Sequence, residues 1–300
     1  MDKALPLGRS NFAALRTRDE IYVDKTALIH RLCRSDAKIF LTRPRRFGKS
    51  LLVSTFETLF KDGLRHFQGL AIERLWRDQT YPVVRLDFSE IKEFSTADEF
   101  KAKFDEKLAA TLAPVGFQFD PKRFGLMVQL SLWFASLQPS SLVILIDEYD
   151  APLTQCLDRP DLFEKVRSVL SEFYLILKSN EGCLRFFFMT GITKFSNTSI
   201  FSAFNNLQDI SLDPLYGDLL DYTDQEIRTF FSSYLDRAAA ALSMSREHLL
   251  EELKAKYDGF SFDEKTEHHV YYPDRCSTSS TGLTEACRII GMRAADSRLS

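Results

Sequence analysis

Residues 38–50 read Lys38-Ile-Phe-Leu-Thr-Arg-Pro-Arg-Arg-Phe-Gly-Lys-Ser50. An apolar strand, Ile39-Phe-Leu41, runs into a loop that ends Gly48-Lys49-Ser50. A run of helical period, Leu51 to Phe60, follows at once. Strand, glycine-containing loop and helix in that order form the local context of a phosphate-binding loop. Backbone N–H groups close around an anion and the helix N-terminus adds its positive end. In such a loop the lysine reaches the terminal phosphates and the serine hydroxyl holds Mg²⁺. The usual spacing begins with glycine five residues before Gly48, and here that position is Arg43. The candidate nucleotide-binding stretch is therefore Arg43, Pro44, Arg45, Arg46, Phe47, Gly48, Lys49, Ser50 and Leu51.

A second constellation lies downstream. Leu142-Val-Ile-Leu-Ile146 is a continuous apolar run, as expected for a strand covered on both faces, and it ends in Asp147-Glu148. Asp147 would sit at the carboxyl edge of a sheet, where ligands bind in open α/β folds. It is the expected Mg²⁺ partner of Ser50, and Glu148 the expected base for an attacking water. A buried strand ending in a solvated acidic turn is the plainer alternative. A third apolar run, Phe186-Phe-Phe-Met189, ends in Thr190-Gly191-Ile-Thr193-Lys194. Thr190 or Thr193 is placed to sense the terminal phosphate and Lys194 to meet a phosphate or a partner. Turn chemistry around Gly191 explains the same residues without a ligand. Arg43, Arg45 and Arg46 could add phosphate contacts, since guanidinium groups match phosphate oxygens bidentately.

Strand-length runs alternate with helical stretches. Strands are expected at 38–42, 83–88, 142–146, 184–189 and 209–212. Helices are expected at 49–61, 97–112, 123–137 and 161–177. This alternation argues an α/β fold, a parallel sheet with helices on both faces. From Tyr222 the texture changes. Thr223-Asp-Gln-Glu226 reads as a capping box, and helices are expected at 224–241 and 246–257. The organisation expected is a nucleotide-binding core over 1–215, a small helical lid-like module over 216–267 and an irregular tail over 268–300.

Composition narrows the class. The 300 residues are 45% apolar and 27% charged, with a net charge of −3, so charge makes no case for nucleic acid. No apolar stretch reaches spanning length, and the five cysteines are odd in number and form no Cys-x-x-Cys pair. A reducing cytoplasm is the expected setting.

Taken together, these stretches resemble the AAA-ATPase-like domain family of bacteria, whose members are often fused to a nuclease-like C-terminal region. The resemblance spans about residues 5–273. It rests on Tyr22-Val-Asp-Lys-Thr26, Arg43-Pro-Arg-Arg-Phe-Gly-Lys-Ser50, Asp147-Glu-Tyr-Asp-Ala-Pro-Leu153, Thr190-Gly-Ile-Thr-Lys194 and Tyr257-Asp-Gly-Phe260. It implies a phosphate-loop core of the additional-strand class, with the Thr190 strand between the phosphate-loop strand and the Asp147 strand. It also implies that Tyr22–Thr26 lies near the nucleotide, and that ATP and Mg²⁺ are the cofactors. The expected activity is ATP hydrolysis with Glu148, Lys49 and Thr190 in catalytic roles. A non-hydrolysing nucleotide-binding regulator and a small-molecule phosphotransferase are the alternatives. A protein partner or a second copy of the chain stays open. Residues 274–300 depart from the family pattern and read as the product of a truncated or frameshifted gene, which would leave nuclease chemistry outside this chain.

Overall fold

A computed structural model describes residues 3–6, 8–195, 207–262 and 269–271. Five parallel strands form the central sheet. They are β1 (Lys38–Thr42), β2 (Val83–Asp87), β3 (Leu142–Asp147), β4 (Leu184–Gly191) and β5 (Leu207–Asp209), in the spatial order β2-β3-β4-β1-β5. β4 pairs with β1 (Leu41 beside Thr190) and with β3 (Ile146 beside Met189). The strand carrying Thr190 therefore separates the strand leading into the loop from the strand carrying Asp147. Because all five strands run the same way, the ends of β1, β3 and β4 emerge on one edge.

The apolar runs are continuous because both faces of the sheet are covered. Side chains alternate along β4: Phe186 and Phe188 enter one core, Phe187 and Met189 the other. The first core is closed by α1 (Phe12–Thr17), α2 (Thr26–Cys33) and α3 (Lys49–Asp62). There Phe56 sits between Phe186 and Phe188, with ring centroids 4.9 and 5.0 Å away. The second is closed by α4 (Ala97–Leu112), α5 (Leu126–Ser136), α6 (Ala151–Thr154) and α7 (Pro160–Ser179), with Phe104 edge-on to Phe173 at 5.6 Å. The abundant phenylalanines thus fill two aromatic layers on either side of one sheet.

After the sheet, α8 (Asp224–Phe230), α9 (Ser232–Ala241) and α10 (Arg246–Tyr257) gather around their own apolar cluster with a hairpin, β6 (Asp258–Ser261) and β7 (His269–Tyr271). The capping box at Thr223 is present. The Thr223 hydroxyl accepts from the Glu226 amide at 3.3 Å, and the Glu226 carboxylate accepts from the Thr223 amide at 2.9 Å.

Three expectations are corrected. The single helix over 224–241 is two helices, broken at Phe231, whose buried ring turns toward Ile21, Val23 and Tyr222. The last strand of the sheet lies at 207–209 rather than 209–212, because the Asp209 carboxylate accepts the Ser211 amide at 2.9 Å and turns the chain. The stretch read as irregular from 268 opens with β7, whose Val270 and Tyr271 are buried. Residues 272–300 lie outside the described residues.

Phe56→Ala is expected to lower the free energy of unfolding by about 3–5 kcal/mol, since it removes a buried ring between two others. Leu132→Ala on α5, at 59% exposure, is expected to change it by less than about 0.5 kcal/mol. Urea denaturation of the two variants checks both.

Candidate nucleotide site

The loop after β1 explains why glycine is dispensable at position 43. The Arg43 amide donates to the Gly191 carbonyl at 3.2 Å, so residue 43 still extends the β1–β4 ladder. The left-handed turns come later, at Arg46 (φ 67°) and Gly48 (φ 75°). Gly48 precedes the first residue of α3 in that conformation, which L side chains adopt at a cost.

The Arg43 side chain faces away from the loop mouth. Its guanidinium is buried and donates to the carbonyls of Thr42 (2.9 Å), Ser211 (2.7 Å) and Tyr216 (3.4 Å), and it lies 4.2 Å from the Phe262 ring centre. Burial pulls its pKa down to about 10. The expectation that the Arg43 guanidinium meets a phosphate is therefore corrected. A planar fork of donors is here used to satisfy carbonyls that the turning chain leaves unpaired. Phe47 is likewise a packing residue, buried and edge-on to Phe262 at 5.2 Å. Pro44 is half-buried, and Arg45 and Arg46 are exposed.

Lys49, the first residue of α3, is buried, and its ammonium donates to the Arg43 and Pro44 carbonyls at 3.0 and 2.8 Å. Burial lowers its pKa, opposed by the carboxylates of Glu148, Asp147, Asp150 and Asp221. Asp147 closes β3 and is fully buried. Neither of its carboxylate oxygens has a hydrogen-bond partner among the described residues, and Arg85 approaches one of them at 3.6 Å. Burial pushes the Asp147 pKa up, with the Ser50 hydroxyl, Arg85 and Lys49 acting against it. A buried carboxylate without a donor, beside a serine hydroxyl, suits a hard divalent cation whose remaining ligands are phosphate oxygens and water. Among the described residues no three His, Cys, Asp or Glu side chains cluster in a way that could hold a metal by themselves.

Glu148 follows in a left-handed conformation (φ 48°) that turns its side chain off the strand and into the cavity. Burial first, and Asp147 second, raise its pKa. Thr190 lies at the end of β4, and its hydroxyl donates to the Leu41 carbonyl at 2.7 Å. It braces β4 against β1. Asp150 is a site residue that spacing did not reveal. Its buried carboxylate accepts from the amides of Ile192 (3.0 Å) and Thr193 (2.7 Å), tying the turn after β4 to the turn after β3. A Cβ at Gly191 would meet Asp150 Oδ1 at 2.4 Å and the Tyr149 ring at 2.6 Å, so that approach needs glycine. Lys194 is engaged with Asp209 at 2.6 Å.

Gly48, Lys49, Ser50, Leu51 and Glu148 line one end of a cavity of about 330 Å³. Leu5, Pro6, Ile21, Val23, Leu219 and Leu220 give the cavity an apolar lining. Tyr22 and Lys25, from the stretch before β1, line it too. The Lys25 ammonium is 2.6 Å from the Glu226 carboxylate, so the capping residue of α8 and the cavity wall share one ion pair.

A family model described as predicted AAA-ATPase matches residues 6–201. The chain belongs to the AAA-ATPase-like family. The strand order β2-β3-β4-β1-β5 agrees with the phosphate-loop α/β fold of that family, whose description as a predicted ATPase supports nucleotide binding in general. A curated protein of Azotobacter chroococcum mcd 1, described as an uncharacterized protein in the vnfD 5′ region, is 32% identical over 277 residues. That match covers 90% of this chain and 50% of the relative, so the chain spans about half the length of the curated relative it matches. No helix among the described residues is long and apolar enough to cross a membrane.

Asp147→Asn should separate stability from function. Burial raises the Asp147 pKa, so the folded state keeps a proton that the unfolded chain has lost. That contribution is fully present below the ordinary carboxylate pKa and disappears as pH rises through the raised value. Without nucleotide at pH 8, the asparagine variant is expected to be more stable than wild type by about 1 kcal/mol or more. The gap should narrow on acidification through the carboxylate range. Thermal denaturation of both proteins across that range checks the sign.

Proposed function

We propose that this chain is a Mg²⁺-dependent ATPase that works as a nucleotide switch. The observation that carries the reading is the fully buried Asp147 carboxylate, whose oxygens have no hydrogen bond of ordinary geometry among the described residues and are stabilised only by the Ser50 hydroxyl, Arg85 and Lys49 nearby. Ser50 and Asp147 would hold the metal, which when bound neutralises charge on the phosphate oxygens. Lys49 would exchange two loop carbonyls for phosphate oxygens. The amides of residues 46–50 would cradle the phosphates at the α3 N-terminus. Glu148, with its raised pKa, would take a proton from water as the water oxygen bonds to the γ-phosphorus and the bond to the β-phosphate oxygen breaks. Phosphate and ADP leave, and the proton returns to solvent from Glu148.

The switch rests on two links between the cavity and the helical unit that follows the sheet. Lys25 lines the cavity and is paired to Glu226, which caps α8. Arg43, in the loop, lies against Phe262 just after β6. A displacement of the loop or of Lys25 on nucleotide binding would reach α8 and the hairpin through these contacts.

Phosphate release and nucleotide affinity, measured on purified protein, test this. Lys49→Ala is expected to weaken Mg-ATP binding at least about tenfold. Glu148→Gln is expected to keep binding within a few-fold and to cut phosphate release by about 10²- to 10⁴-fold. Unchanged affinity in Lys49→Ala would refute the phosphate-loop assignment. Binding without phosphate release in the wild type would leave a non-hydrolysing regulator.

A further inference from the structure

Asp221 lines the same cavity as Lys49 and Ser50, and the sequence reading did not single it out. One of its carboxylate oxygens, Oδ2, is buried and has no hydrogen-bond partner among the described residues. The cations around it are Arg43, Lys25 and Lys49, and each is engaged elsewhere. Arg43 serves three carbonyls, Lys25 pairs with Glu226, and Lys49 bonds to two loop carbonyls. Burial raises the Asp221 pKa well above its ordinary value, with those three cations acting against it.

The backbone presents this carboxylate deliberately. Asp221 is in the left-handed region (φ 63°), uncommon for a residue with a Cβ. Its neighbours fix it there. Leu220 Cδ2 would lie 3.8 Å from a Cβ at Gly48, so the residue before Asp221 packs against the phosphate loop. The Tyr222 carbonyl accepts the Tyr271 amide at 3.0 Å, and the Tyr222 ring packs on Phe231 at 5.1 Å. Leu220 both approaches Gly48 and belongs to the apolar lining, so Asp221 follows the residue at which the phosphate loop meets that lining. In a nucleotide whose phosphates lie on the loop and whose base lies on the apolar lining, that meeting point belongs to the sugar. Three neighbouring cations disfavour a metal ion at Asp221, whereas neutral hydroxyl donors are attracted to it.

We propose that Asp221 accepts hydrogen bonds from the ribose hydroxyls and makes the site selective for ribonucleotides over deoxyribonucleotides. The proposal builds on the nucleotide assignment above. A carboxylate accepting ribose hydroxyls gives discrimination because the deoxy analogue leaves it buried and unpaired.

Equilibrium titration of the full chain with Mg²⁺ and ATP, 2′-deoxy-ATP or 3′-deoxy-ATP tests it. The wild type is expected to bind ATP about 10- to 100-fold more tightly than a deoxy analogue lacking a bonded hydroxyl. Asp221→Ala is expected to reduce ATP affinity to that of the analogue and bring the ratio to about one. Asp221→Asn, which keeps the shape and one acceptor, is expected to hold a ratio of a few-fold, and it decides the matter with the wild type if the alanine variant does not fold. Binding of all three nucleotides within about threefold of one another in the wild type would overturn the ribose assignment alone. A ratio unchanged in Asp221→Ala would overturn it as well. Failure of every nucleotide to bind would overturn the nucleotide assignment, and this one with it.

Discussion

The insertion of β4 between β1 and β3 is the constraint on which the rest of the structure depends. Parallel pairing on both sides of β4 fixes the heights of three strand ends together. The Arg43 amide bonds to Gly191, the Thr190 hydroxyl to Leu41, and the Tyr149 amide to Thr190. Asp150 then pins the amides of Ile192 and Thr193, and Tyr149 donates to the Thr193 carbonyl at 2.7 Å. These bonds leave little freedom in how the loop before Lys49 faces Asp147 and Glu148. Two aromatic cores hold the sheet between helices, and the candidate site lies at the carboxyl ends of β1, β3 and β4.

Polar groups near that edge divide by what satisfies them. Arg43, Thr190 and Asp150 are buried and bonded to backbone, so they hold the frame. Asp147 and one oxygen of Asp221 are buried without a donor. Leaving them so costs stability, and under the proposed function a cation would compensate one and sugar hydroxyls the other. The exchange available to Lys49 is gentler, since it moves from neutral carbonyls to charged phosphate oxygens.

Much of this was legible from residues 38–50 and 142–148. Apolar runs ending in the phosphate-loop stretch and in Asp-Glu read as buried parallel strands meeting polar loops, and the starts of α3 and α4 and the capping box at Thr223 follow from local chemistry. The resemblance to the family supplied the strand order and the place of Tyr22–Thr26 beside the cavity. What local pattern did not carry were long-range satisfactions. The burial of Arg43 depends on carbonyls of Ser211 and Tyr216, some 170 positions away, and on Phe262. The break at Phe231 depends on Ile21 and Val23. No motif marks Asp221, and only the fold brings it to the lining of the cavity that Lys49 and Ser50 share. Asp150 could have been suspected from Asp147-Glu-Tyr-Asp150, where a second carboxylate three residues on can turn back under the strand end.

The central claim is that Ser50, at the start of α3, and Asp147, at the end of β3, act as one metal-binding unit for a nucleotide on the loop. The direct measurement is ATP affinity by calorimetry, with and without Mg²⁺, for wild type, Ser50→Ala, Asp147→Asn and the double variant. If the claim holds, Mg²⁺ tightens ATP binding to the wild type at least about tenfold, each single variant loses most of that gain, and the double variant loses little more. A Mg²⁺ effect that survives both substitutions, or losses that simply add, would contradict it.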